Sequence, residues 1–234
     1  MTRRQVLVNG TPLQLAGDAS ASRAVIVLQE AFGVNDHIRT ILETYAAGGY
    51  FAVAPELFHR AGSPEVPYDN FPQAMGALTT LEYDGLHDDL LATAQYLNAQ
   101  GFSRSSIATV GYCMGGSVAF FAATLGVVGA AASYYGGGVE TGRFGLPSLI
   151  DLAPSLRCAW LGLYGDLDKG IPVEQVEGLR AAAARAPVAT EVVRYADAEH
   201  GFNCDGRPAV FNDGASHDAT QRTFAFFQAN LTDK

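Results

Sequence analysis

The sequence predicts an α/β fold: a mostly parallel sheet with helices on both faces and an antiparallel hairpin at its N-terminal end, spanning residues 1–234 as one domain. Three observations carry that expectation. Short, continuously apolar runs alternate with helical segments, as in parallel sheets whose strands are buried on both faces. Asn9-Gly10 separates two short segments and is a strong hairpin signal. The run from Ser105 to Phe120 reads as an apolar strand, an abrupt glycine-bracketed turn and a small-residue helix.

In order, Gln5 to Val8 and Leu13 to Ala16 form the hairpin, and Ala24 to Leu28 is the first buried strand. Asp36 opens a helix with Ile38, Ile41, Leu42 and Tyr45 on one side, closed by Gly48-Gly49. Phe51 to Ala54 is the next strand, stopped by Pro55. Residues 56 to 82 read as a long connection with a short helix near Ala74 to Leu78; connections of that size are usually functional. Asp84 to Gln100 is amphipathic along Leu86, Leu90, Leu91, Ala94 and Leu97. Beyond the glycine-bracketed turn come a strand from Val127 to Tyr135, an irregular region over residues 140 to 155, and a strand from Cys158 to Tyr164. A helix from Pro172 to about Ala184, a strand from Thr190 to Tyr195 and a terminal helix from Ser216 to about Ala229 complete the chain.

Nearly half of the residues are apolar and 17% are charged, enough apolar content for a substantial core. The net charge of −9 argues against nucleic acid or an anionic membrane as a partner. The three cysteines are odd in number and widely spaced, which suits a reducing compartment rather than a disulfide framework. Met1 to Gly10 holds basic residues with no apolar run behind them, so no secretory signal is read there, and no stretch reaches transmembrane length. A cytoplasmic protein is expected, monomeric with a dimer as the alternative.

The spacing Gly111-Tyr112-Cys113-Met114-Gly115 is that of a nucleophile on a sharp strand-to-helix corner. Such a corner crowds strand against helix, and glycines relieve the crowding. It also sets the side chain at the positive end of a helix, which favours a thiolate. Cys113 is therefore the candidate nucleophile. The competing readings are a buried structural cysteine, a phosphate loop that lacks its lysine because Ser117 follows Gly116, and a redox pair excluded by Gly116. Two further polar groups follow apolar strands, the acidic pair Asp166/Asp168 and His200. The order nucleophile, acid, histidine is that of the α/β-hydrolase triad. A thiol needs a base held in one tautomer by a third group, and His200 fits the role of base. The oxyanion donors expected in this arrangement are the backbone N–H groups of Met114 and Ala31. Glu30, an acid closing an apolar strand, is either functional or a loop cap. His37 and His59 follow strands and could line the site. His87 and His217 read as surface groups. No spacing points to a metal or another cofactor, and none is expected.

With these residues assembled, the chain resembles the dienelactone hydrolase family of the α/β-hydrolase superfamily over nearly its full length. The carriers are Gln29-Glu30-Ala31-Phe32-Gly33-Val34-Asn35, Gly111-Tyr112-Cys113-Met114-Gly115-Gly116, Tyr134-Tyr135-Gly136, Gly165-Asp166-Leu167-Asp168 with Ile171-Pro172, and His200-Gly201-Phe202. The resemblance implies Cys113 as nucleophile, His200 as base and Asp168 as the group that orients it, with Asp166 the alternative. It gives Glu30 a switching role, holding the resting thiol and releasing it when substrate arrives. It further implies hydrolysis of a small lactone or ester through a thioester. Dienelactone-cleaving members carry an arginine in the mid-chain connection and another four residues after the histidine. Here no arginine lies between Arg60 and Arg104, and the second position is Cys204. Tyr135, Phe32 and Arg207 are the candidates for contacting substrate. The alternatives to a lactone hydrolase are a broad-range carboxylesterase, a non-catalytic binding protein on the same scaffold, and a thiol redox protein using Cys113 with Cys158 or Cys204.

Overall fold

Eight strands hydrogen-bond into one sheet in the order β1-β2-β4-β3-β5-β6-β7-β8, in a computed structural model that describes residues 4–234. Met1 to Arg3, where the segment read above as lacking a secretory signal begins, lie outside the described residues. The strands are β1 (Arg4–Val8), β2 (Thr11–Ala16), β3 (Arg23–Leu28), β4 (Tyr50–Pro55), β5 (Ile107–Tyr112), β6 (Ala130–Tyr134), β7 (Ala159–Gly165) and β8 (Thr190–Tyr195). The helices are α1 (Asp36–Ala47), α2 (Phe71–Leu78), α3 (Tyr83–Ala99), α4 (Met114–Leu125), α5 (Leu149–Leu152), α6 (Val173–Ala183) and α7 (Asp213–Asn230). The β1–β2 and β2–β4 pairs are antiparallel, and every pair from β4–β3 to β7–β8 is parallel. Asn9 and Gly10 both take positive φ, as the two-residue hairpin turn between β1 and β2 requires.

The central strands are apolar on both sides because helices cover both sides. Ala24 to Leu28 of β3 and every residue of β4, β5 and β6 are buried. On one face α1 and α7 meet where the Tyr45 ring lies 4.9 Å from Phe224. On the other, α3, α4, α5 and α6 pack in succession. Helix α4 is buried from Met114 through Ala123, so it runs through the middle of the molecule rather than over its surface. Among the described residues no helix is long and apolar enough to cross a membrane.

Three differences from the sequence reading have local causes. The strand expected from Val127 begins at Ala130, because Val127 to Gly129 serve as its approach and Gly129 N–H already bonds the Ile107 carbonyl. The terminal helix starts at Asp213 rather than Ser216, since the Asn212 side chain accepts from Ala215 N–H and caps it. The irregular region over 140–155 contains the short helix α5, capped by Ser148.

Candidate active site

The tip of β5 and the start of α4 form the corner that carries Cys113. Its backbone sits at φ 55° and ψ −117°, a strained conformation of the kind that surrounding structure must enforce. The enforcement is visible at the two flanking glycines. A Cβ on Gly111 would stand 1.8 Å from the Gly115 carbonyl oxygen, and one on Gly115 would stand 2.4 Å from that of Leu28. Strand and helix therefore pass closer than any side chain permits. Cys113 N–H bonds the Tyr134 carbonyl at 3.0 Å, tying the corner to the end of β6, and the thiol remains partly exposed.

The ends of three separate elements converge on that sulfur. His200, in the loop after β8, puts Nε2 3.0 Å from Cys113 Sγ. Its Nδ1 lies 2.6 Å from Asp168 Oδ2, in the loop after β7. Asp168 is buried, and its other oxygen accepts from the N–H groups of Gly170 and Ile171, which fix the carboxylate in place. Asp166, the alternative acid, points elsewhere and forms a two-pronged ion pair with Arg194, both contacts at 2.7 Å. Burial of the His200 ring works against its charged form. The Cys113 sulfur and the Asp168 carboxylate outweigh that cost and push the imidazole well above its ordinary value.

Glu30 lies two residues beyond the end of β3 and is 1% exposed. Its Oε1 accepts from the Tyr135 hydroxyl at 3.2 Å, while Oε2 is buried with no hydrogen-bond partner. The Cys113 sulfur is turned to His200, so the resting contact between Glu30 and the thiol implied by the resemblance is not the arrangement found here. Tyr135, at a positive φ of 41°, is fully buried, its ring 5.0 Å from His200. It reaches the site through Glu30 and the imidazole rather than as an open pocket wall. Phe32 packs edge-on against Tyr68 at 4.7 Å, and the Arg207 guanidinium lies 5.6 Å over its ring. That places a cation near the site although Arg207 is out of register with the position filled by Cys204. Met114 opens α4, where backbone N–H groups have no intrahelical acceptor, and Ala31 follows Glu30 at the adjacent strand end.

The other histidines divide. His59 and Arg60 both bind the buried Asp89, away from the sulfur, so His59 is structural. His87 pairs loosely with Asp88 on α3. His37 is buried, its Nδ1 3.0 Å from Asp205 Oδ1 and its Nε2 unpartnered. The long connection contributes Tyr68, which sequence reasoning missed: its hydroxyl accepts from Cys204 Sγ and Asn35 Nδ2 while its ring covers Phe32. Nothing in its local sequence distinguishes Tyr68 from other polar residues of that loop. Burial, with the Glu30 charge nearby, pushes the Cys204 thiol up to about 12. Burial likewise pushes Cys158 up to about 12, leaving both as poor nucleophiles at neutral pH.

Comparison with known proteins shows the family of the chain. Residues 13–231 match the dienelactone hydrolase family. A protein of Salmonella typhimurium provisionally named carboxymethylenebutenolidase is 36% identical over 87% of this chain and 76% of its own. One so named from Synechocystis is 32% identical over 97% of this chain and 96% of its own. The chain belongs to the dienelactone hydrolase family. Within that family, a crystal structure of a provisionally named dienelactone hydrolase from Klebsiella pneumoniae superposes with a TM-score of 0.86, at 32% identity over 97% of this chain and 98% of that one. Membership makes the protein a hydrolase on the α/β-hydrolase scaffold.

Proposed function

We propose that this dienelactone hydrolase family member cleaves a small lactone or carboxylic ester by acyl transfer to Cys113. The observation that supports this most is the chain of short contacts from Cys113 Sγ to His200 Nε2 and from His200 Nδ1 to Asp168. It has the geometry of an activated nucleophile with an oriented base. The raised affinity of His200 for its proton favours a thiolate–imidazolium pair ready before substrate binds.

The thiolate attacks the ester or lactone carbonyl, and the developing oxyanion is received by the Met114 and Ala31 N–H groups. The C–O bond then breaks, and His200 gives its proton to the departing alkoxide or enolate, leaving a thioester on Cys113. His200, now neutral, takes a proton from water as that water attacks the thioester, and the acid is released with the thiolate regenerated. Asp168 keeps the ring in one orientation throughout. Glu30, held by Tyr135, is the carboxylate through which substrate can influence the thiol.

Substrate range divides two readings. A lactone that carries a carboxylate would meet Arg207, the cation resting on Phe32. A broad-range carboxylesterase is favoured instead by Cys204, a neutral thiol where dienelactone-cleaving relatives carry an arginine. The names of the Salmonella and Synechocystis relatives favour the lactone. Comparing kcat/KM for an unsaturated, carboxylate-bearing lactone with that for neutral aryl esters decides between them. Turnover of the neutral esters alone would overturn the lactone reading and leave the esterase.

A further inference from the structure

Beside the nucleophile, but not using it, lies a second group of chemically active side chains. One donor atom from each of Glu30, His37 and Cys204 lies within 4.8 Å of the other two, and all three residues are buried. Two atoms in this group have no hydrogen-bond partner, Glu30 Oε2 and His37 Nε2, at residues 1% and 8% exposed. Leaving two such buried atoms unpaired costs on the order of 1–3 kcal/mol each. Asp205 Oδ1 lies 3.0 Å from His37 Nδ1, which orients the ring and leaves Nε2 as the nitrogen free to bind. A carboxylate oxygen and a ring nitrogen, both buried and unpartnered, stand beside a cysteine sulfur, and one cation satisfies all three.

We propose that Glu30, His37 and Cys204 form a binding site for one divalent transition-metal ion of the zinc class. A mixed oxygen, nitrogen and sulfur set suits zinc or cobalt and is wrong for magnesium or calcium, which prefer oxygen alone. Tetrahedral bonds of about 2.0–2.3 Å put ligand atoms roughly 3.3–3.6 Å apart, so the three side chains draw together by about an ångström on binding. The Cys204 S–H bond breaks, its proton passes to buffer, and a metal–sulfur bond takes its place; the hydrogen bond to Tyr68 is given up. Asp205 on His37 and Tyr135 on Glu30 Oε1 are the outer groups that orient the ligands. An open cleft of about 540 Å³, lined in part by His37, Tyr68 and Asp205, reaches the His37 side of the group. The fourth position is left to water.

This proposal is independent of the role given to Cys113, and its test removes that thiol. Metal-stripped full-length Cys113→Ala protein is titrated with Co²⁺, following absorption, and then with Zn²⁺. The expected result is one equivalent of Co²⁺ with a thiolate-to-metal band in the near ultraviolet and tetrahedral visible bands, displaced by Zn²⁺. Adding Cys204→Ser should abolish the thiolate band, and adding His37→Gln should weaken binding at least ~10–100-fold. Circular dichroism and melting of both variants serve as the check that they fold. The absence of stoichiometric binding, a spectrum without a thiolate band, or affinity unchanged by both substitutions in folded protein would each overturn it.

Discussion

His200 is caught between burial, which disfavours its charge, and the Cys113 sulfur and Asp168 carboxylate, which favour it; the neighbours win. The sign of that balance makes a direct expectation. In the wild-type protein the ring stays protonated through neutral pH, while in Cys113→Ala the sulfur's contribution is gone and the titration moves down toward the ordinary value of about 6.5. Nitrogen chemical shifts of the imidazole followed by NMR across pH 5–10 read this, and equal midpoints in the two proteins would refute the ion pair. The two acids of the loop after β7 should separate cleanly as well. Asp168→Asn removes the carboxylate that orients His200 and should lower kcat by roughly 10²–10⁴. Asp166→Asn loses only a part-exposed pair with Arg194, and kcat should stay within a few-fold. Steady-state kinetics of both variants on one ester is the measurement. For substrate recognition, Arg207→Ala should raise KM for a carboxylate-bearing lactone by roughly tenfold with kcat little changed, and leave a neutral aryl ester untouched.

At the scale of elements, the corner between β5 and α4 decides where the sulfur can be. Its backbone strain is held by strand and helix in contact through glycines, so the corner is only as firm as that contact. Gly111→Ala places a methyl group inside the Gly115 carbonyl oxygen's radius and should destabilise the fold by more than ~4 kcal/mol, read as a collapse of the thermal transition or loss of soluble protein. A stable, active Gly111→Ala protein would mean that the corner is not constrained as described. This corner was readable from sequence because its cause is local: glycine spacing, an apolar strand before it and small residues after it. The short helix α5 was not readable, since four residues capped by Ser148 leave no periodic signal. The extra turn at the start of α7 was hidden because Asn212-Asp213-Gly214 reads equally as a turn, and only the capping bond to Ala215 settles it.

Across the whole molecule, the parallel strands bring their carboxyl ends to one edge, and that is why residues 113, 168 and 200 meet. Their meeting was legible because each follows an apolar strand, and the sheet does the rest. The grouping of Glu30, His37 and Cys204 was not legible: His37 belongs to a helix, Cys204 to a loop 167 residues later, and no spacing rule joins them. Nor was the anchoring of the long connection. Buried Asp89 on α3 accepts from Thr11 in the hairpin and from Arg60 in the connection, and contacts His59, so one carboxylate fastens three separate segments. Asp89→Ala leaves those donors without their acceptor and should cost about 3–5 kcal/mol, measurable as a shift of the denaturant midpoint.

The central claim is that Cys113 becomes acylated. Peptide-level mass spectrometry of enzyme quenched in acid during turnover of a slowly deacylating aryl ester tests it most directly. The expected result is one acyl group on the peptide that contains Cys113, absent from Cys113→Ala protein that has also lost ester hydrolysis. An acyl group on a different residue, or undiminished hydrolysis by folded Cys113→Ala, would contradict it.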